Sequence, residues 1–426
     1  MRARIALPFV MFLNACVSAS NPDVATRADI SGSSALPPMK TFATSVPDAP
    51  IRSNNDLALD FIELSFQMES GRSLPVLTRF ETPITVRVTG APPPTLAPDL
   101  ARLMARLRAE AKIDIRETRA ATANITIQAV TRGDIRRVLP QAACFVAPNV
   151  TSISEYRAAR RQAKTNWTLL KTREQLAIFL PNDASPQEVR DCLHEELAQA
   201  LGPLNDLYRL PDSVFNDDNV HTVLTGFDMM ILRAYYDPAL QSGMSRGQVA
   251  ALLPGILDRI NPRGANRPAR FATRTPRGWS KAIQTALGHS ISFSSRQSAA
   301  NEAIRIASAM GWQDHRRAFA HYAKGRVMQS SDPELAQKHY LIADRYYALT
   351  PGTGLHRAYV ATQLSAYAIS RGEGARALRL IAPHMGAAVR SENAALLSTL
   401  LLLRSEALDR KHQVRGTGRR CRTGSG

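Results

Sequence analysis

The order of apolar and polar positions predicts a mixed first half and a helical second half. Residues 56–69 repeat apolar side chains at helical spacing and offer Leu57, Leu59, Phe61, Ile62 and Phe66 to a core. Residues 83–88 alternate with period two and predict a strand, and Pro92 to Pro94 predict a turn after it. Residues 96–111 predict a second helix with Leu100, Leu103, Met104 and Leu107 on one face. Ile113 with Ile115, Ile125 with Ile127, and residues 175–180 predict three further strands. Residues 132–172 are basic and hold no clear period, so they read as irregular.

The most sharply bounded element begins at Ser185. Ser185-Pro186-Gln187-Glu188 has the form of a capping box with Pro at the first helical position, and Gly202 predicts the stop. Between them Val189, Cys192, Leu193, Glu196, Leu197, Ala200 and Leu201 fall on one face. A carboxylate within an apolar stripe is costly unless it is paired, protonated or functional, which singles out Glu196. His194 falls off the stripe and reads as a solvent-side residue; a metal site shared with the distant His221 is the other reading. Thr225-Gly226-Phe227-Asp228 opens another capped helix, which ends before Asp237-Pro238. Residues 245–296 hold nine basic residues and one acidic, and read as a basic linker with short helices. Residues 297–412 carry a helical pattern throughout, and the tail 413–426, rich in Arg, Gly, Thr and Ser, is expected to be disordered.

The amino-terminal residues carry a different signal. Arg2 and Arg4 precede an apolar run over residues 5–13 that is too short to span a bilayer. Leu13-Asn14-Ala15-Cys16 then resembles the lipobox of bacterial lipoproteins. That resemblance implies a signal peptide over residues 1–15, cleavage before Cys16 and lipidation of its sulfur. With Val17 next in place of an acidic residue, it implies the outer membrane, with the body facing the periplasm. Residues 16–54, rich in Ala, Ser, Pro and Asp, read as a flexible tether. Cys421 lies in the tail, which leaves Cys144 and Cys192 in the body; in an oxidising compartment a bridge is favoured over two free thiols. The net charge of +18 comes from 46 Arg and 8 Lys against 36 acidic residues. Such a body is drawn to anionic head groups or acidic wall polymers, and an exported chain is not expected to meet nucleic acid. At 426 residues there is room for two or three domains.

Glu195-Glu196-Leu197-Ala198-Gln199-Ala200-Leu201-Gly202-Pro203-Leu204-Asn205 resembles the matrixin-like metzincin frame His-Glu-x-x-His-x-x-Gly-x-x-His. Ser213-Val214-Phe215-Asn216 falls where those proteases place their Met-turn, and Leu224-Thr225 with Asp228 and Tyr235-Tyr236 resembles their final helix. More narrowly, the chain resembles a bacterial lipoprotein family of unknown function with the pattern Glu-Glu-x-x-Gln-x-x-Gly-x-x-Asn-Asp. The resemblance implies a zincin-like domain over residues 55–244. Glu195, Gln199 and Asn205 then take the metal-ligand positions and Glu196 the general base, with Asp206, Ser213 and Asn216 in the remnant of the pocket. The departures shape the expectation. Carboxamide oxygens are poor zinc ligands beside imidazole, and a Glu, Gln, Asn set suits a hard cation such as Ca²⁺ better, and weakly.

In the second half, Ala320, Ala323, Ala336, Tyr340 and Ala343 resemble a tetratricopeptide-type helical pair with Pro351 as its stop, which implies a groove for a partner protein. There is no Gly-rich phosphate loop and no Cys-x-x-Cys. The expected fold class is therefore α+β: a zincin-like domain with a mixed sheet, then an all-α, tetratricopeptide-like domain over residues 297–412. The expected function is a lipid-anchored, non-catalytic envelope protein without a cofactor, with a protein partner on its helices. A metal-dependent peptidase using Glu196 as base is the alternative, and it would require a divalent metal.

Overall fold

The computed structural model describes residues 52–422 together with Phe42 and Pro50, apart from Gln141, Phe271, His289 and Ser290, with side chains as far as Lys411. The signal segment, Cys16, nearly all of the 16–54 tether and residues 423–426 lie outside the described residues.

Helix α1 (Asn54–Ser65) starts on Ser53, whose hydroxyl accepts the Asp56 N–H. Strand β1 (Ile84–Gly90), helix α2 (Leu96–Glu110), strand β2 (Ile115–Glu117) and strand β3 (Ile125–Val130) follow where the periodicity places them. Residues 132–172 are not irregular, however. They form α3 (Arg132–Val138), β4 (Phe145–Pro148) and α4 (Ile153–Ala159). Elements of four to seven residues are too short for a period to rise above the surrounding charge.

Strand β5 (Leu176–Pro181) completes a five-stranded sheet in the order β2-β1-β3-β5-β4. Four strands are parallel and the edge strand β4 runs antiparallel to β5. β5 is buried along its whole length because both sheet faces are covered. One face meets Ile135, Val138 and Ala159 of α3 and α4 through Ala177 and Phe179. The other carries the main core, where Ile127, Ile178 and Leu180 meet α1, α2 and three helices that follow the sheet: α5 (Pro186–Leu201), α6 (Gly226–Tyr235) and α7 (Arg246–Ile260). Cys144, just ahead of β4, and Cys192 on α5 are joined by a disulfide with Cα atoms 5.9 Å apart.

The linker expected over residues 245–296 is corrected. α7 places Val249, Leu253, Ile256 and Leu257 in the main core. α8 (Pro262–Ala265) is a single turn, and α9 (Arg277–Leu287) buries Trp279 completely. All but one of the arginines of this stretch are exposed on the outer faces, so composition masked an apolar stripe. Gly243-Met244-Ser245-Arg246-Gly247 spells Gly-x-Ser-x-Gly, but Ser245 is the N-cap of α7 and its hydroxyl is bonded to Gln248.

The remaining elements are α10 (Phe293–Ala309), α11 (His315–Met328), α12 (Pro333–Ala348), α13 (Gly354–Ser370), α14 (Gly374–Ile381), α15 (Met385–Arg390) and α16 (Ala394–Arg422). Buried alanines on α10, α11 and α12 let these helices close on Trp279, Trp312 and Tyr340. A Cβ at Gly325 would meet the Tyr340 ring at 2.6 Å, so only glycine permits that approach of α11 to α12. A third core holds Leu355, Ile381, Leu396 and Leu400 with Val220 and Phe42. α16 keeps helical backbone to Arg422, into the stretch that the pattern reads as tail. Among the described residues no helix is long and apolar enough to cross a membrane.

Buried polar contacts tie the last helices to the first core. Arg190 on α5 pairs with Asp99 on α2 at 2.8 Å and reaches the Glu392 carbonyl, and His356 on α13 meets Asp218 at 2.8 Å.

Candidate functional site

Helix α5 carries the site, and both its ends are pinned. The Ser185 hydroxyl accepts the Glu188 N–H at the start. The reciprocal half of the expected capping box is replaced, since the Glu188 carboxylate pairs with Arg132 at 2.9 Å. At the other end the last carbonyls have no partner within the helix. Arg173, 2% exposed, donates to the carbonyls of Gln199 and Ala200 at 2.6 and 2.8 Å and to that of Gly202. The Tyr236 hydroxyl donates to the Leu201 carbonyl at 2.9 Å. The Tyr235 ring lies 2.9 Å from where a Cβ would stand on Gly202, so the stop needs glycine for close approach. Leu204 then bonds the end of α1 through Leu64, and its carbonyl accepts the Glu69 N–H at 3.2 Å. This turn brings Glu69 to the face of α5.

The result is a cluster of carboxyl groups. Glu195, Glu196, Asp206, Glu69 and Asp217 interact, and the Gln199 amide donates to Glu69 at 3.3 Å. Glu196 is 5% exposed, and one of its oxygens and one of Asp206 are buried without a hydrogen-bond partner. Burial, then mutual repulsion, raises every member above the ordinary carboxylate range. Glu195 is pushed up to about 8 and Asp217 to about 6, while Glu196 and Asp206 are raised well above their usual values. Asp191, one turn earlier, reaches about 7. At neutral pH Glu195, Glu196 and Asp206 therefore favour the protonated form.

Three expected pocket residues are spent elsewhere. The Asn205 amide donates to the Glu63 carbonyl at 3.0 Å, Ser213 donates to Asp228 at 2.5 Å, and the Asn216 amide donates to the Leu210 carbonyl at 2.7 Å. They build the loop between α5 and α6. The solvent-side reading of His194 is also corrected: it is 5% exposed and its Nδ1 accepts the Leu224 N–H at 3.1 Å. Burial, with Arg106 and Arg190 nearby, holds it neutral. His221 donates to the Pro211 carbonyl and faces His356, so the two histidines serve different contacts.

A zinc ion does not fit these residues. Glu195 and Gln199 share a face, but no imidazole or thiolate stands among them, and the carboxamide oxygens of Gln199 and Asn205 are hard, weak donors for zinc. Among the described residues no three His, Cys, Asp or Glu side chains group as metal ligands. Sequence reading missed Glu69, Asp217 and Arg173. Each reaches α5 through chain closure over long separations, and none sits in a local motif.

Residues 54–255 match a family model described as a protein of unknown function (DUF2927). The matched segment is a little under half of the chain; it holds the whole sheet, the carboxyl cluster and the first ten residues of α7. No curated protein and no solved structure matches the chain.

The cluster predicts a pH dependence within the matched segment. Unfolded carboxyls titrate near pH 4. Folded Glu195, Glu196 and Asp206 hold their protons to higher pH, so the folded chain binds more protons and stability falls as pH rises. Several buried histidines, depressed by burial, act oppositely, but only below about pH 6.5. Between about pH 6.5 and 8.5 the unfolding midpoint should therefore fall, and Glu195→Gln should shallow the slope by at most about 1.4 kcal/mol per pH unit, less what solvent screens. A wild-type midpoint that stays flat or rises over that range would show that these carboxyls do not hold their protons in the folded chain.

Proposed function

We propose that this chain is a lipid-anchored envelope protein, cut before Cys16, whose zincin-like domain has exchanged a metal centre for a buried carboxyl cluster. The helices after residue 297 form its tetratricopeptide-like interaction module, and the body faces the periplasm from the outer membrane. The observation that carries the reading is the donor set: the positions where the resemblance places zinc ligands hold Glu195, Gln199 and Asn205, with no imidazole, amid raised carboxyl groups. The amide nitrogens of Gln199 and Asn205 donate to Glu69 and to the Glu63 carbonyl, which leaves only weakly ligating amide oxygens for a metal. The order of elements supports the zincin-like assignment, with α5 ending on a glycine, a tight loop at Ser213, and a capped final helix closing on Tyr235 and Tyr236. The disulfide and the lipobox-like amino terminus support export.

A second reading keeps the site active. Glu196, with a buried oxygen that has no partner, would be the general base of a metal-dependent peptidase. Metal content separates the two. Residues 40–412, secreted to a periplasm and purified without chelator, should hold no stoichiometric zinc and should melt at the same temperature in excess chelator. About one equivalent of zinc per chain, lost in Gln199→Ala, would replace the first reading with the second.

A further inference from the structure

Residues 156–172 carry five cations, Arg157, Arg160, Arg161, Lys164 and Lys171, and no acid. All five are exposed. Only Lys164 forms an ion pair among the described residues, with Glu155 at 2.8 Å. After α4 the segment makes two short turns, Ala163–Thr165 and Trp167–Leu169, neither of which buries a residue. Polar contacts hold them in place. The Thr165 hydroxyl donates to the Ala159 carbonyl at 2.8 Å, the Asn149 amide donates to the Lys164 carbonyl at 2.6 Å, and the Asn166 side chain accepts the Thr168 N–H at 3.1 Å. The turns are thus fixed by hydrogen bonds, and Leu169 is left 57% exposed.

Leu169 is not a lone surface leucine, which would need no explanation. Two shallow depressions, of about 420 and 380 Å³, share Ala163, Asn166 and Leu169. Met68 and Trp167 extend the apolar wall of the first, and Leu170 that of the second. Arg72, Arg160 and Arg161 rim the first, and Lys164 and Lys171 the second. An apolar patch within a ring of cations fits a partner that offers apolar matter beneath a layer of negative charge. A soluble polyanion meets the ring but leaves Leu169 in water. An anionic phospholipid surface offers both, with headgroup phosphates for the ring and the acyl boundary for the centre. Its headgroups also move laterally, so the cations need no fixed register of partners.

We propose that this surface docks the body onto anionic phospholipid, with Trp167 and Leu169 at the acyl boundary and Arg72, Arg161 and Lys171 among the phosphates. The membrane is the one that the lipid-anchored reading supplies; the contact itself needs no anchor.

Residues 17–426, which lack the signal segment and the lipid-bearing Cys16, test the surface apart from the anchor. Mass spectrometry of the wild-type chain for a lipid on Cys16 reads the anchor separately. The unlipidated chain should float with vesicles of equal parts phosphatidylglycerol and phosphatidylcholine, bind pure phosphatidylcholine at least about tenfold more weakly, and release as salt rises. Arg161→Glu with Lys171→Glu should weaken binding about twentyfold or more, at about fivefold per cation. Arg345→Glu with Arg371→Glu makes the same change of charge at exposed positions on α12 and at the end of α13, and should weaken binding less than about threefold. Leu169→Ser should weaken it about fivefold. All these side chains are exposed, so the unfolding midpoints should hold. Trp279 and Trp312 are buried and Trp167 is partly exposed, so acyl chains brominated near the headgroup should quench Trp167 on binding. Absence of phosphatidylglycerol-dependent flotation, equal losses in the two double variants, or binding without quenching would each overturn the proposal. Unchanged binding of Leu169→Ser would overturn it as well and hand the surface to a soluble polyanion.

Discussion

Replacing Arg173 with methionine should cost about 3–5 kcal/mol of stability, a large part of the 5–15 kcal/mol that holds a typical domain together. Arg173 is buried and has no carboxylate partner among the described residues; its charge is met by the carbonyl ends of α5 and by the Trp167 ring at 5.3 Å. A cation at a helix carboxyl end is favourable, the more so out of water. Methionine fills most of the volume but donates nothing. The carbonyls of Gln199, Ala200 and Gly202 would lose their side-chain donor, at about 1–3 kcal/mol for each that water cannot reach. The loss would not stop at stability. Gly202 leads into the turn that positions Glu69 and Asp206, so the carboxyl cluster should loosen as well. Urea unfolding followed by tryptophan fluorescence measures the first effect, and the pH slope of the unfolding midpoint reads the second. A loss below about 1 kcal/mol would mean that the carbonyls find water and that Arg173 does not organise the site.

Removal of the Cys144–Cys192 bridge should have an effect of similar size. The two residues are separated by 48 positions, and loop-closure entropy for such a span corresponds to about 4 kcal/mol. The bridge joins the segment ahead of the edge strand to the middle of α5, and the loop it closes contains α3's successor elements β4, α4 and β5. Without it the short elements α3, β4 and α4 rely on the small core around Phe145 and Phe179. Comparison of the oxidised chain with the Cys144→Ala, Cys192→Ala double variant should show a lower urea midpoint, and reduction of the wild type should reproduce most of the shift. Equal midpoints in all three would show that the sheet edge holds without the cross-link.

Local patterning was enough for most elements whose apolar period stands clear of the composition around them, though the four-turn α7 was hidden by its arginine- and proline-rich surroundings. The apolar stripes of α1, α2 and α5, the alternation of β1 and the buried alanines of α11 and α12 are properties of residues i, i+2, i+3 and i+4, which lie in the chain itself. The oddity of Glu196 was equally legible, because a carboxylate on an apolar stripe violates that local rule. What a polar group does once buried was not legible. His194, Asn205, Ser213 and Asn216 all sit in motifs that suggest chemistry, yet each is used to hold a loop. Glu69 reaches Gln199 across 130 positions, and Arg173 reaches the end of α5 across 26. The periodicity of a chain says which face of an element leaves water. Which donor then meets which acceptor is set by how the elements close on one another, and a buried polar group takes whatever partner that closure brings within about 3 Å.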